Sequence, residues 1–291
     1  MTLQQLKYFC KVAEVLHYTE AANSLFISQS GLSYSIAELE KKLGAPMFTK
    51  HSKKTALTKF GEEFLPYAKK ALENIEEGSN RVKKMLTPES VINLGYIYSL
   101  SFGILSDTLA DFRLKPDYDD ISFNFVQGVS SVIIDKLKKY ELDIALLADV
   151  QDYDLESIFV YEQELFVVMP KSHRLAEKEH INLHDIIQED FVAISSKSSL
   201  RKCVDNVFHS VGATPRIRIQ AEECNTIASF VSANFGISIL PEIPSLDPFD
   251  IAWRSIEEKP FIRKINLVWL KSNKLSPVVQ QFKDCLLAKL I

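Results

Sequence analysis

With 291 residues, 46% of them hydrophobic and 25% charged, the chain has room for about two domains of ordinary globular composition. No apolar run approaches the roughly 18 residues of a membrane helix, and the start carries no basic-then-apolar leader, so the expected location is the cytoplasm with no membrane partner. The net charge of −4 hides an asymmetry: residues 1–87 hold 13 basic and 9 acidic side chains, and the remainder holds 21 and 29. A positive end on a negative body points to a polyanion as one partner.

Leu3, Leu6, Phe9, Ala13 and Leu16 predict an opening helix with one buried face, a core that Ala22 and Leu25 continue. Thr19 and Ser28 are expected to cap the next two short helices. In the second of these, Leu32, Ile36, Leu39 and Leu43 recur at steps of four, three and four, forming one narrow stripe. Ser30, Ser33, Tyr34, Ala37 and Lys41 fall on the opposite side. An aliphatic back and a small, hydrogen-bonding front suit a helix that approaches base edges in the major groove. An ordinary amphipathic surface helix would show the same stripe, so charge has to separate the two readings. Between Lys41 and Phe60 stand six lysines and His51 with no acid, whereas a solvated run normally mixes both signs. Met47–Thr49 and Thr55–Leu57 predict the arms of a hairpin with Lys50, His51, Lys53 and Lys54 at its tip.

These residues carry a family likeness. The chain resembles the LysR-type transcriptional regulators over its whole length, most densely in LQQLKYFCKVAEVLHYTEAANSLFISQSGLSYSIAELEKKLGAPMF and the LTKFG that follows. Ala21, Ala22, Leu25, Ser28, Gln29, Ser33, Leu39, Glu40, Leu43, Gly44, Phe48, Leu57 and Thr58 stand where that family has its hallmark residues. There are two departures. Ser30 replaces the proline common after the glutamine, and Lys50 replaces the arginine common after the family's Leu-Phe pair. Lysine keeps the charge but gives up the planar bidentate fork. In a winged helix-turn-helix of this kind, Gln29, Ser33 and Tyr34 would reach base edges, the glutamine amide being suited to adenine. Ser30, Lys50, His51, Lys53 and Lys54 would lie on phosphates of double-stranded DNA.

A long helix follows, capped by Thr58 and running to about Leu86, with Pro66 near its start. Phe64, Ala68, Ala71, Ile75, Gly78, Val82 and Met85 alternate steps of four and three, the spacing of a coiled-coil seam. The alternative is packing on the chain's own second domain. Self-association is favoured because two recognition helices on paired half-sites raise affinity and specificity together. The resemblance implies homodimers through this helix, homotetramers built from them, and RNA polymerase as a further partner.

Thr87–Pro88–Glu89 breaks the helix. Beyond it, strand and helix patterns alternate, the signature of α/β folding. The strands expected are Val91–Tyr96, Ile121–Phe125, Leu142–Leu147, Leu165–Met169, Phe191–Ile194, Arg216–Gln220, Ile237–Leu240 and Lys264–Leu270. The helices are Phe102–Arg113, Val132–Tyr140, Leu200–Val211, Thr226–Asn234 and Pro277–Leu290. The segments LDIALL, LFVVMPKSH and FGISILPEIP resemble the family's effector-binding region, which implies a two-lobed fold similar to a periplasmic binding protein. The expected fold class is therefore a multidomain α+β protein. An α-rich winged helix-turn-helix DNA-binding domain would occupy 1–58, a linker and dimerisation helix 59–87, and an α/β two-lobed effector domain 88–291. Lobe I would take 90–160 and 263–291, lobe II 161–262.

Ligands in open α/β sheets bind beyond the carboxyl ends of strands, beside helix N-termini. By that rule Tyr98, Ser99, Ser101, Gln127, Gly128, Val129 and Ser130 would face the crevice from one lobe. Ser195, Ser196, Ser198, Cys224, Asn225 and Thr226 would face it from the other. Each serine alone reads as an ordinary cap; their convergence suggests a small-molecule effector that is anionic, such as a carboxylate. The resemblance implies activation of a divergent promoter and repression of the protein's own gene.

Other chemistry finds little support. Ser199-x-x-Lys202 and Ser232-x-Asn234 are fragments of a serine β-lactamase set whose Lys-Thr-Gly element is absent, so no enzyme is expected. None of the nine glycines forms a nucleotide-binding motif, and no cofactor is expected. His180 and His184 are spaced for one helix face, but no acid or thiol completes a metal site, and His173 reads as a surface residue. Four scattered cysteines suggest a reducing compartment; Cys203 and Cys224 would sense peroxide only with a lowered pKa and a resolving partner. A free-standing solute-binding protein is the second class, opposed by the basic head.

Overall fold

The computed structural model describes residues 1–51, 54–86, 90–100, 103–115, 118–257 and 261–289. The chain divides into two compact units, Met1–Lys83 and Lys84–Ile291.

In the first unit, α1 (Leu3–Val15) opens on a capping box. Thr2 Oγ1 accepts from the Gln5 N–H at 3.2 Å, and Gln5 Oε1 accepts from the Thr2 N–H at 3.0 Å. The cap of α2 (Tyr18–Ser24) is His17 rather than the expected Thr19. The imidazole Nδ1 lies 3.3 Å from the Glu20 N–H, and Thr19 falls one residue inside the helix. Phe26 turns the chain in left-handed conformation, φ 56°, leading into α3 (Gln29–Leu43). Ser28 caps α3, and Gly44 ends it at φ 72°, where a side chain would be strained. Leu32, Ile36 and Leu39 are buried against Phe9 and Val12. Leu43, expected on the same stripe, is exposed, because it is the last residue of the helix and projects past that core. The hairpin of β1 (Phe48–His51) and β2 (Lys54–Leu57) follows, paired from Phe48↔Leu57 to His51↔Lys54. Lys53 lies outside the described residues, as do Ser101 and Thr87–Pro88–Glu89.

Thr58 then starts α4 (Lys59–Met85), its Oγ1 accepting from the Gly61 N–H at 3.1 Å. Only glycine fits at position 61, since a Cβ there would overlap the Met47 carbonyl. Along α4, Phe64, Leu65, Ala68, Ala71 and Leu72 join the core of the head, whereas Ile75 and Val82 are exposed.

The second unit begins with three parallel strands in the order β4 (Ser122–Gly128), β3 (Val91–Ile97), β5 (Ile144–Ala148). Helices α5 (Ile104–Phe112) and α6 (Ser130–Lys138) make the crossovers. Asp143 pins the start of β5 to β3, accepting from the Asn93 N–H at 2.7 Å and from Asn93 Nδ2 at 2.9 Å. The chain then enters β6 (Leu155–Pro170), which starts ten residues before the expected strand. Glu156, Glu162 and Glu164 disguise that early part, being polar residues on the outward side of a strand that runs from one lobe into the other.

The second lobe comprises β7 (His180–Ile181), α7 (Leu183–Ile186), β8 (Asp190–Ile194), α8 (Ser199–Ser210) and β9 (Arg216–Ala221). After these come α9 (Cys224–Ser232), β10 (Ser238–Pro241) and β11 (Ile251–Ile256), the last in a stretch where no element was expected. β12 (Phe261–Leu270) returns antiparallel to β6, from Phe261↔Leu165 to Leu270↔Leu155, with an irregularity at Ile265/Asn266. Helix α10 (Pro277–Ala288) completes the first lobe.

Two separate cores fill the lobes. One gathers Ile92, Leu94, Ile133, Leu146, Leu267 and Phe282; the other gathers Val167, Phe191, Val204, Phe208, Ile227 and Leu240. The strands β6 and β12 are the ladder shared between them. No helix among the described residues is long and apolar enough to cross a membrane.

Candidate functional site

In the first unit, the solvent side of α3 is held ready by short hydrogen bonds. Ser28 Oγ accepts from the Gly31 N–H at 3.1 Å and from Ser30 Oγ at 3.3 Å. Gln29 Nε2 donates to Ser33 Oγ at 2.8 Å, one turn along the helix, and Tyr34 is 70% exposed. Gln29, Ser30, Ser33 and Tyr34 thus share the front of the helix, while Leu32, Ile36 and Leu39 anchor its back. Lys50, His51 and Lys54 occupy the two strands of the adjoining hairpin. Glu40 fixes that hairpin to α3, its carboxylate accepting from the Met47 and Phe48 N–H groups at 2.7 and 3.2 Å. Phe26, 96% exposed in the turn before α3, is an aromatic surface that the sequence did not single out.

In the second unit, a cleft of about 280 Å³ opens between the lobes. The first lobe supplies Ile97, Tyr98, Ser99, Gly128 and Val129; the second supplies Ile194, Ser198, Leu200, Glu222 and Cys224. Arg263, on the shared strand β12, is its charged group. The guanidinium is 1% exposed. Its Nε and Nη2 donate to Gln163 Oε1 at 2.8 and 2.5 Å, and Nη2 also donates to Ser99 Oγ. These partners are neutral. Among the described residues no carboxylate forms an ion pair with Arg263. Burial holds the guanidinium pKa below its usual value. At the cleft edge Ser130 Oγ donates to Ser199 Oγ at 3.2 Å, joining the N-termini of α6 and α8.

Residues 3–62 match the bacterial regulatory helix-turn-helix protein, lysR family, and residues 87–291 match the LysR substrate binding domain. The chain belongs to the LysR family. It is therefore a DNA-binding transcriptional regulator with an effector-binding domain. Among LysR-type relatives, the uncharacterized HTH-type transcriptional regulator YybE of Bacillus subtilis (strain 168) is 35% identical over 98% of this chain and 97% of its own. The transcriptional dual regulator GltC of the same organism is 27% identical over 98% and 96%. The solved effector-binding domain of QuiR in complex with shikimate is 33% identical, with TM-score 0.66 over 69% of this chain and 96% of that one. HinK of Pseudomonas aeruginosa, a LysR family transcriptional regulator, shares the fold at TM-score 0.62 over 99% of this chain and 98% of its own, with 23% identity.

Within this LysR effector domain the sequence-derived candidates separate. Tyr98, Ser99, Gly128, Val129, Ser198 and Cys224 line the cleft, and Ser130 stands at its edge. Gln127, Ser196 and Thr226 are exposed and are not among the lining residues. Ser195 turns inward, its Oγ accepting from the Lys197 N–H at 3.5 Å. Asn225 faces the 244–246 turn, its Oδ1 accepting from Ser245 Oγ at 2.9 Å. Arg263, Gln163, Glu222 and Ser199 were not legible as site residues. Arg263 and Gln163 meet only because they are cross-strand partners 100 positions apart.

Two histidine readings are corrected. His180 lies in β7 and bonds Ser255 Oγ through Nδ1 at 2.6 Å, so it shares no helix face with His184 of α7. His173 is largely buried rather than on the surface. Its Nδ1 accepts from the Leu175 N–H at 3.3 Å, and its Nε2 lies 3.4 Å from Glu189 Oε2. The thiols lack the character of a sensor: burial raises the Cys203 pKa and pushes Cys224 up to about 11.

Proposed function

We propose that this LysR-family protein regulates promoters under the control of a small organic anion seated on Arg263. The carrying observation is the buried guanidinium with neutral partners at the hinge between the lobes. Burying a charge is costly unless an opposite charge compensates it, so this position favours an anion over a neutral ligand. The binding of shikimate by the QuiR domain supports a carboxylate in this place.

The contact roles in the head extend this reading. Gln29, Ser33 and Tyr34 reach base edges, while Ser30, Lys50, His51, Lys53 and Lys54 hold phosphates of double-stranded DNA. The uncovered Ile75 and Val82 of α4 seal a seam with a second copy, and two such dimers form a tetramer. The domain limits are 1–58, 59–87 and 88–291. The anion binds one closure state of the lobes more tightly and shifts its population, which changes the spacing of the DNA heads and presents RNA polymerase with a different promoter geometry. The protein works in the cytoplasm and catalyses no reaction.

Nuclease footprinting of the DNA upstream of its own gene tests this reading. The panel contains shikimate, benzoate and succinate, with wild type beside Arg263→Gln and Arg263→Lys. At least one carboxylate is expected to alter the protected region for wild type and to leave that of Arg263→Gln unchanged. An equal response from both proteins counts against an anion at this position.

A further inference from the structure

The cleft is electrically polar along its length. At one end, buried in the β6–β12 ladder, lies Arg263 with Gln163 and Ser99. At the other end Glu222 lines the cleft from the loop between β9 and α9, with Glu223 beside it and Tyr98 facing it from the first lobe. The two ends are electrostatically separate. The Tyr98 hydroxyl pKa is raised by burial and by the fields of Glu222 and Glu223, while the groups acting on Arg263 are Cys224, Tyr161, Cys203 and Asp149. Between the ends the walls are apolar, from Ile97, Val129, Ile194 and Leu200. About 280 Å³ gives room for roughly nine water-sized groups of about 30 Å³ each.

We infer that the effector is a compact monocarboxylate whose far end carries hydrogen-bond donors, the carboxylate on Arg263 and the donors on Glu222. This rests on the reading of the cleft as an anion site and adds a selectivity residue to it. A second carboxylate at the far end would meet Glu222 as a like charge, so dicarboxylates are excluded. An α-amino acid is also a poor fit, because its ammonium sits beside its carboxylate, at the end away from Glu222. A hydroxyl or a remote ammonium both supply the required donor. The apolar middle calls for a hydrocarbon ring or chain between the two polar ends.

The test is calorimetric titration of the full-length protein with acids built on one ring. These are cyclohexanecarboxylate, its 4-hydroxy and 4-aminomethyl derivatives and cyclohexane-1,4-dicarboxylate, with shikimate alongside. Wild type is expected to bind at least one donor-bearing acid, hydroxylated or aminated, about tenfold or more tighter than the dicarboxylate. The stronger of the hydroxy and aminomethyl acids identifies which donor the site takes. In Glu222→Gln, an exposed position where folding is not at risk, the preference over the dicarboxylate shrinks to about twofold or less. Arg263→Gln abolishes all of these affinities. If the dicarboxylate binds wild type as tightly as the donor-bearing acids, or Glu222→Gln leaves the preference intact while binding still needs Arg263, the selectivity inference fails alone. If no acid binds wild type, or binding survives Arg263→Gln, the anion reading fails and takes this one with it.

Discussion

Arg263 and Gln163 face each other across the β6–β12 ladder, and two nitrogens of the guanidinium donate to the same amide oxygen, at 2.8 and 2.5 Å. This pair sits where two strands pass between two separately packed lobes. A charge held there by neutral groups is under-compensated in a way that a carboxylate would relieve.

Replacing Gln163 with Leu removes the acceptor and leaves the buried cation short of a partner. A loss of about 1–3 kcal/mol is expected, read as a fall in Tm of roughly 2–4 °C for each kcal/mol in a domain of this size. A bound carboxylate supplies a new acceptor, so saturating anion should narrow the gap to wild type. A Tm unchanged by the substitution would show that Gln163 does not support the cation.

Ser130 and Ser199 tie one lobe to the other across the mouth of the cleft. Ser199→Ala removes a hydrogen bond of about 0.5–1.5 kcal/mol that exists only when the lobes are close. The apparent Kd for a carboxylate effector should therefore rise by roughly two- to tenfold with little change in Tm. Isothermal titration of the variant checks it; an unchanged Kd would mean that the contact does not bias closure.

Ile75 and Val82 lie on one face of α4, 52% and 59% exposed in the single chain. If they form the seam between two copies, the double variant Ile75→Glu, Val82→Glu should sediment as a monomer while keeping its helical content. Persistence of the wild-type oligomer would place the interface elsewhere.

Cys224 offers a test against pH. Burial destabilises its thiolate and raises the pKa to about 11, above the ordinary thiol value. The folded state therefore holds the proton more tightly than the unfolded chain, and the associated stability is present below pH 9 and lost as pH rises toward 11. Cys224 should resist alkylation at pH 8, and labelling should accelerate only toward pH 11. Rapid reaction near neutrality, with a promoter response to peroxide, would restore a redox role.

What the sequence disclosed follows from how local each feature is. The stripe of Leu32, Ile36 and Leu39 appears at helical spacing, because a helix repeats its buried face every three to four residues. Thr58 as a cap and the alternation of strands and helices are equally local. Arg263 is not. In FIRKINLVWL it reads as one more charge near the start of a strand, and only its pairing with Gln163 reveals that it points inward. His173 misled for the same reason: its partners Leu175 and Glu189 come from a turn and a distant loop. Among the serines, position beside a helix start was legible, but the direction of each side chain was not. Ser99 meets the guanidinium, Ser195 turns inward and Ser196 stays in solvent.

The central claim is that a lysine-bearing head grips duplex DNA, and the salt dependence of binding tests it most directly. Three wing lysines on each of two heads neutralise about six phosphates, so log K for the upstream duplex should fall with log salt concentration at a slope near −5. A duplex of scrambled sequence should bind more weakly at every salt concentration. Affinity that does not vary with salt, or no binding even at low ionic strength, would contradict the account.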